Sequence, residues 1–311
     1  MAQSTQYLVL GTPQLFQPSR VLANPIAKKI CDLIYLDLKS AKSLRVPLEF
    51  ELRFGTLLDR QTEEKLDRGT STPAALKPSF NECFFKSGVD SEVWAKMRQY
   101  LQQWCDRVSV LPDLPQEKRV KHLGMRKTKD LQYQGRVRVT IDASTDETVA
   151  CVMKKKRGVL NVLQPEDYDW RIGSATETDA PMPPSDTPIR QIRVKSRESW
   201  QFDGLRIDLT DVITHMPDEH VPKEPGEQVS RCHEIELEIV DTALLQRIRD
   251  AIHNKKPLSE LAMLANVLAT HATSVTNMLR SAKRDVAKKR HQQPSGAVAA
   301  APEAKRRRTR Y

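Results

Sequence analysis

Residues 234–239, with the sequence Glu-Ile-Glu-Leu-Glu-Ile, decide the fold of this chain because three carboxylates alternate with three aliphatic side chains. A period of two predicts a β-strand, in which successive side chains point to opposite faces of a sheet. One face of this strand is apolar and belongs against a core. The other face carries acids about 7 Å apart, an arrangement that is costly unless cations or water lie in front of it.

The same alternation occurs near the start of the chain and in five stretches between the two acidic segments. Residues 48–55 are Leu-Glu-Phe-Glu-Leu-Arg-Phe-Gly. Further strands are predicted at 132–142, 148–157, 168–178, 192–200 and 205–212, each with charged residues on one face. The basic members of these faces are Arg136, Arg138, Lys155, Arg157, Arg193, Lys195, Arg197 and Arg206.

Apolar residues recur at helical spacing in four other stretches. They predict helices over 24–42, 90–108, 241–254 and 258–290. Asn24 before Pro25 fits an N-cap followed by proline at the first helical position. A short strand is expected at 79–86, and no element is assigned to 111–130, which is rich in proline and lysine.

The chain divides into three segments. Residues 1–19 are polar, contain two prolines and show no sustained period, so a mobile leader is expected there. Residues 20–290 form a single domain with its flanking helices. Residues 291–311 form a basic, low-complexity tail, which serves either as a nuclear import signal or nucleic-acid contact, or is simply solvated.

Composition narrows the class of protein. A hydrophobic content of 39% over 311 residues is enough for a real core, and the net charge of +10 favours polyanionic partners, although the tail supplies part of that excess. No apolar run approaches the roughly 20 residues of a membrane span, and no secretion signal is recognisable, so neither a membrane nor secretion is expected. The five cysteines are scattered without CxxC spacing, which indicates reduced intracellular thiols and does not favour zinc.

The charged faces of the predicted strands, considered together, indicate how the sheet is arranged. Each one alone is compatible with the solvated side of an antiparallel sheet. About seven such strands in succession, with helices enough to cover only the apolar face, favour a closed barrel whose charged face lines the lumen. The predicted fold is therefore α+β, an antiparallel β-barrel jacketed by helices.

The lumen of such a barrel predicts a chemistry. Clustered carboxylates without His or Cys favour a hard divalent ion such as Mg²⁺ or Mn²⁺, and clustered Lys and Arg bind phosphate oxygens. A metal beside a basic wall is suited to phosphoryl transfer to water, with a carboxylate orienting the water.

The charged strands resemble, in type and order, those of metal-dependent RNA 5′-triphosphatases, the fungal, protozoan and viral mRNA-capping enzymes of the triphosphate tunnel metalloenzyme superfamily. The resemblance covers about residues 45–241. It rests on residues 49–55, the strand with Arg138, and residues 155–157, 195–197, 206–210 and 234–238. It implies an eight-stranded antiparallel tunnel that removes the γ-phosphate of triphosphate-ended nascent RNA and leaves a diphosphate end.

The resemblance also implies roles for individual residues. Glu49, Glu51 and Glu238 are expected to bind the metal, Mg²⁺ or Mn²⁺. Glu177 is similar to the family's water-orienting acid. The residues expected to support it are Asp208, Glu234 and Glu236. The residues expected to contact phosphate are Arg138, Lys155, Arg157, Lys195, Arg197 and Arg206.

No nucleotidyl-transfer lysine motif is visible, so a separate RNA guanylyltransferase partner and a nuclear location are expected.

Two alternative functions remain open. Another branch of the superfamily acts on inorganic tripolyphosphate, thiamine triphosphate or nucleotides, but it tends to begin ExExK where this chain has Arg53 followed by Phe54 and Gly55. A non-catalytic module that binds RNA or polyphosphate is the other.

Overall fold

The structure, a computed structural model, describes residues 6–41, 48–112, 114–165, 168–216 and 229–292. The first part contains β1 (Tyr7–Leu8), β2 (Leu15–Phe16), α1 (Pro25–Ser40), β3 (Leu48–Asp59), β4 (Ala74–Ala75), β5 (Cys83–Ser87) and α2 (Ser91–Ser109). The middle contains β6 (Lys121–Tyr133), β7 (Val137–Asp142), β8 (Thr148–Leu163), β9 (Asp169–Asp179), β10 (Ile189–Phe202), β11 (Leu205–His215) and β12 (Val229–Ile239). Helices α3 (Thr242–His253) and α4 (Ser259–Gln292) follow.

Eight of these strands close into an antiparallel barrel. Their order is β12, β11, β10, β6, β7, β8, β9 and β3, and β12 pairs with β3 to complete the circle. The two acidic strands predicted from the sequence are therefore neighbours, although they lie near opposite ends of the chain. The predicted α+β barrel with helices around it is confirmed.

The apolar outer face of the barrel is covered by the helices on part of its circumference. The core contains Phe50 and Phe54 from β3, Trp200 from β10 and Trp104 from α2, all at most 1% exposed. Helix α1 begins as predicted, since the Asn24 side chain accepts a hydrogen bond from the backbone N–H of Ile26.

Helix α1 also packs very closely on the barrel. At Gly158 of β8 a side chain would place its Cβ 2.4 Å from Leu33 Cδ1 and 2.8 Å from Asp37 Oδ2. The Gly158 N–H donates to Ser174 Oγ at 2.8 Å, and that hydroxyl donates to Asp37. A methyl group at this position would therefore force the Leu33 and Asp37 side chains of the helix to move.

One barrel strand was not predicted. Strand β6 begins at Lys121, within the unassigned stretch 111–130, and ends at Tyr133. The strand expected over 132–142 is therefore divided, and only its second part, Val137–Asp142, forms a strand of its own. The chain turns instead at Gly135 (φ 80°) and Arg136 (φ 69°) before β7 begins. The outer face of β6 carries Leu123 and Met125, which are 52% and 56% exposed, so this strand has little of the buried apolar face that reveals other strands.

The amino-terminal segment also differs from its prediction. Strands β1 and β2 pair as a ribbon, Leu8 and Leu10 are buried, and Trp104 Nε1 donates to the Thr12 carbonyl at 2.8 Å. The described part of the expected leader is thus packed on the domain. The sequence did not predict this, because two-residue strands are too short to show a period. Residues 1–5, and all of the expected tail beyond residue 292, lie outside the described residues. In the parts of the chain that are described, no helix is long and apolar enough to cross a membrane.

Candidate active site

The lumen of the barrel contains a cavity of about 360 Å³ whose walls are almost entirely charged. Its acidic residues are Glu49, Glu51, Asp130, Glu177, Glu236 and Glu238. Its basic residues are Arg53, Arg126, Arg138, Lys154, Lys195, Arg197 and Arg206. Side chains of one face of every barrel strand converge there, as the period of two requires.

Carboxylates crowd the seam where β12 meets β3. Glu238 lies directly opposite Glu51, and Glu49 follows on the same face of β3. Arg53 bridges the seam, with Nε 2.7 Å from Glu51 and Nη2 3.0 Å from Glu236. Burial, together with the neighbouring Glu236 carboxylate, raises the pKa of Glu51 to about 7. The pKa of Glu236 is well below its ordinary value: burial opposes ionisation, but Arg53, a hydrogen bond with Glu51, and Arg197 and Lys195 together outweigh it.

The opposite wall holds Glu177 between two cations. Arg138 Nη2 is 2.9 Å from its carboxylate, and Lys154 Nζ lies 3.1 Å from Glu177 and 2.7 Å from Glu49. Burial tends to raise the pKa of Glu177, yet Arg138 and Lys154 hold it below the ordinary value. Glu177 is consequently an ionised hydrogen-bond acceptor facing the cavity.

Strands β10 and β11 supply the basic wall, and acids of β11, β12 and β6 lie beneath it. Arg197 lies 3.3 Å from both Asp208 and Glu236. Arg206 lies 3.0 Å from Asp208 and 2.5 Å from Glu238. The remaining pairs are Arg193 with Glu234 at 2.9 Å and Lys195 with Asp130 at 2.5 Å. Asp208, Glu234 and Glu236 are nearly inaccessible, so they orient the basic side chains above them.

The structure does not bring Lys155 and Arg157 to this cavity, contrary to the prediction. Lys155 is exposed on the outside of β8, and Arg157 contacts Ser40 and Asp37 of α1, with Nε 3.6 Å from Asp37. Residues 154–157 are four consecutive cations, so their sequence cannot reveal which ones point inward. A register shift between Lys156 and Val159 changes the phase again.

Sequence reasoning missed several residues of the lumen. Lys154 replaces Lys155 as the cation between two acids. On β6, alternate residues from Arg126 through Thr128 to Asp130 face the lumen, a period of two that could have been recognised in the sequence. Arg53 was used to identify the first strand, but its position between two carboxylates could not be foreseen without the β12–β3 pairing.

The acids of the seam suit a divalent cation. Within the described residues, no group of three His, Cys, Asp or Glu side chains is already arranged to hold a metal ion, because Glu49, Glu51 and Glu238 are each turned toward a cation. Burial and the nearby Glu49 raise the pKa of Glu238, although Arg206 opposes this. The raised pKa values of Glu51 and Glu238 reflect burial first and the neighbouring carboxylates second, and an all-oxygen donor set matches a hard divalent ion.

The sequence was compared with known proteins. The family described as "mRNA capping enzyme, beta chain" matches residues 22–281. The mRNA-capping enzyme subunit beta of Schizosaccharomyces pombe is 23% identical over 205 residues, which are 64% of this chain and 64% of that protein. The protein of the same name from Candida glabrata is 24% identical over 281 residues, 84% of this chain and 43% of that one. The chain thus spans 64% and 43% of the lengths of these relatives.

The fold has solved counterparts. The S. pombe Pct1 RNA triphosphatase in complex with the Spt5 CTD superposes with a TM-score of 0.67 at 22% identity, over 84% of this chain and 95% of that one. A second structure of S. pombe Pct1 RNA triphosphatase gives a TM-score of 0.69 at 20% identity, over 82% and 94% of the two chains. The tunnel fold expected from the charged strands is confirmed.

Proposed function

The chain belongs to the mRNA capping enzyme beta-chain family, as the resemblance of its charged strands implied, and we propose that it removes the γ-phosphate from triphosphate-ended RNA to leave a diphosphate end. The observation that supports this best is the lumen itself, where the carboxylates of the β12–β3 seam face cations on the surrounding walls. If a triphosphate entered the lumen, its oxygens would replace the carboxylates as partners of these cations.

The basic wall accounts for phosphate binding. Arg138, Lys195 and Arg197 all line the cavity, and each is held by an acid. Burial, and the nearby cations Arg193 and Arg197, lower the pKa of Lys195, although Asp130 opposes this. A bound anion would therefore stabilise the charged ammonium form of Lys195. Arg206 extends the same wall toward the seam.

The carboxylates of the seam provide the proposed metal site. Glu49, Glu51 and Glu238 would hold a divalent ion, Mg²⁺ or Mn²⁺, after releasing their basic partners. When bound, such an ion neutralises phosphate charge and helps to position the reacting phosphoryl group. Lys154, freed from Glu49, would then be available to the phosphate or to Glu177.

The attacking water is assigned to Glu177. Because Arg138 and Lys154 keep this carboxylate ionised, it can accept a hydrogen bond from water and orient it toward the γ-phosphorus. Asp208, Glu234 and Glu236 act as positioning residues, since each holds an arginine of the wall at a fixed place.

The partner and location follow from the same proposal. The relatives are named as subunits of an mRNA-capping enzyme, and a diphosphate RNA end is the substrate required by a guanylyltransferase. A separate guanylyltransferase subunit would therefore act next on the product. Both steps would take place in the nucleus, where nascent RNA is made.

Release of γ-phosphate tests the proposal. The full chain is incubated with γ-labelled triphosphate-ended RNA in Mg²⁺, Mn²⁺ or EDTA, and with tripolyphosphate and ATP for comparison. We expect metal-dependent release from RNA that Glu49→Gln abolishes and Glu64→Gln, an exposed residue outside the lumen, leaves intact. Hydrolysis of tripolyphosphate with none of RNA would place the chain in another branch of the superfamily. Tight RNA binding with no hydrolysis of any substrate would indicate a binding module.

A further inference from the structure

A second and larger cavity, of about 740 Å³, opens at one end of the lumen. It shares Arg138 and Lys154 with the lumen, so the two spaces adjoin each other at these side chains. We call this cavity the vestibule. Residues that line it and not the lumen include Tyr133, Arg136, Lys156, Arg190 and Met216.

The charge of the vestibule differs from that of the lumen. Five of its lining residues are Lys or Arg, and none is Asp or Glu. Within the described residues, Arg136, Lys156 and Arg190 form no ion pair, whereas the basic residues of the lumen wall mostly hold an acid. As far as the described residues show, the vestibule is thus a positively charged entrance that no acid lines.

The environment of Lys156 agrees with this description. Its pKa lies below the ordinary value because partial burial disfavours the ammonium group and because neighbouring Arg171, Arg53, Arg136 and Lys154 are all cations. An unbalanced positive field at a cavity mouth attracts polyanions. A bound anion would remove the repulsion.

The backbone places one of these cations at the rim. Arg136 follows Gly135 in the β6–β7 turn, and both residues have left-handed φ angles of 69° and 80°, respectively. For a residue with a Cβ this conformation is strained and costs free energy. No ion pair of Arg136 with a described residue offsets that cost, which is consistent with a partner from outside the chain.

Apolar groups lie among the cations. The Tyr133 ring is half-buried at the end of β6, and Met216 is 48% exposed at the end of β11. Cationic grooves that contain an aromatic ring are typical of sites for single-stranded nucleic acid, in which the cations follow the backbone and a base stacks on the ring.

We propose that the vestibule binds the first nucleotides of the RNA whose 5′ triphosphate lies in the lumen. Arg136, Lys156 and Arg190 contact the phosphodiester groups that follow the triphosphate, and Tyr133 stacks on a base. The inference rests on the proposed function and extends it to the recognition of RNA. It predicts a preference for RNA over inorganic tripolyphosphate, which would fill the lumen but has no backbone to occupy the vestibule.

Kinetics on two substrates test the vestibule. In the full chain, Arg136→Asn, Lys156→Gln and Arg190→Gln are combined and compared with a matched variant that removes three exposed lysines elsewhere, Lys28→Gln, Lys121→Gln and Lys127→Gln. We expect the vestibule variant to lose about tenfold or more in kcat/KM on a triphosphate-ended pentanucleotide and to change less than twofold on tripolyphosphate. The control variant should change less than twofold on both.

Salt dependence and folding give independent measures. The logarithm of the RNA association constant falls with the logarithm of salt concentration, and each contact to a single-stranded phosphate contributes about 0.7 to the steepness of that fall. The vestibule variant, which loses three such contacts, should therefore have a slope about 2 less steep. Arg136→Asn alone introduces a residue that tolerates left-handed φ, and it should weaken RNA binding about threefold without lowering Tm.

The ring is tested by two substitutions at Tyr133. Tyr133→Phe keeps the stacking surface and should retain RNA affinity within twofold. Tyr133→Leu removes it and should raise the KM for RNA about fivefold or more, with tripolyphosphate unaffected. Equal effects of the two substitutions would exclude stacking.

Binding of fluorescent triphosphate-ended RNA in EDTA separates failure of this inference from failure of the proposed function. If the wild-type chain hydrolyses RNA and the vestibule variant does so equally well, the vestibule assignment is wrong and the function stands. If RNA is not hydrolysed at all but the vestibule variant binds it at least tenfold more weakly than the control variant, the vestibule assignment stands and the function is wrong.

Discussion

Glu238 of β12 lies directly opposite Glu51 of β3, and this pair of carboxylates sits in the ladder that closes the barrel. Like charges opposite each other across a ladder destabilise it. Here Arg53 and Arg206 offset the repulsion by pairing with Glu51 and Glu238, respectively. The seam is therefore balanced by the chain's own cations and can exchange them for a metal ion.

Removing one carboxylate of the pair should separate activity from stability. We expect Glu51→Gln to lower metal-dependent hydrolysis at least a hundredfold while Tm in EDTA stays within about 3 °C of wild type, because a neutral amide relieves the repulsion from Glu236. Phosphate release and thermal unfolding are measured on the same preparation. Retained activity, or loss of folded protein, would contradict the assignment.

Metal binding should release protons at mildly acidic pH. In the metal-free chain the pKa of Glu51 is raised to about 7, so the folded state holds a proton that the unfolded state, with its ordinary carboxyl, has lost above about pH 4.5. Stability of the metal-free chain therefore falls as the pH rises from about 4.5 to 7.

Calorimetry in buffers of different ionisation enthalpy measures this coupling. Titration of Mn²⁺ should displace close to one proton at pH 6 and almost none at pH 8, and Glu51→Gln should abolish the difference. Identical proton release at both pH values would refute the role of Glu51.

Two adjacent lysines distinguish the inside of β8 from its outside. Lys154 contacts Glu49 and Glu177, whereas Lys155 is exposed. Lys154→Gln should lower kcat/KM about tenfold to a hundredfold, because two acids of the site lose their shared partner. Lys155→Gln removes the same charge and should change the rate less than twofold. A reversed order would show that the strand is placed in the wrong phase.

A buried histidine should make the fold sensitive to acid. His271 of α4 packs edge-on against Phe202 with ring centroids 5.4 Å apart, and neither ring nitrogen has a hydrogen-bond partner among the described residues. Burial lowers its pKa to about 3. Because the folded pKa is below the ordinary 6.5, this contribution to stability is complete above about pH 6.5 and is lost as the pH falls toward 3.

Denaturant unfolding at pH 7.5 and pH 5.0 tests this expectation. The wild-type chain should lose about 2 kcal/mol between these values through His271. His271→Leu should remove that part of the loss, and His253→Gln, at the exposed end of α3, should keep it. The same pH dependence in His271→Leu and wild type would exclude a neutral buried ring.

The sequence predicted those elements whose side chains have a buried face. Helix α1 falls near its predicted limits, and β12 ends at Ile239 as predicted but begins five residues earlier, at Val229. The apolar residues of both elements are covered by helices or strands. Strand β6 was missed because Leu123 and Met125 are exposed, so the strand has little buried apolar face to produce a recognisable pattern.

The site residues were predicted correctly where their strand has the same alternating pattern. Acids and arginines that alternate with apolar residues were placed correctly in the lumen, as Glu238 and Arg197 illustrate. Where four cations are consecutive, at 154–157, no period exists and the phase depends on a register shift that only the pairing of β8 with β9 defines. The vestibule likewise depends on the turn at Arg136, for which the sequence offered only a glycine.

The closing seam also fixes the order in which the site can appear during synthesis. Strand β3 ends at Asp59 and β12 begins at Val229, so the other six barrel strands leave the ribosome between them. Three residue pairs then join the two strands. Because long-range pairings form late, a nascent chain carries Glu49 and Glu51 without their facing carboxylate until β12 emerges. The candidate site is therefore completed by one of the last events of barrel folding, and a chain that ends before β12 lacks Glu238.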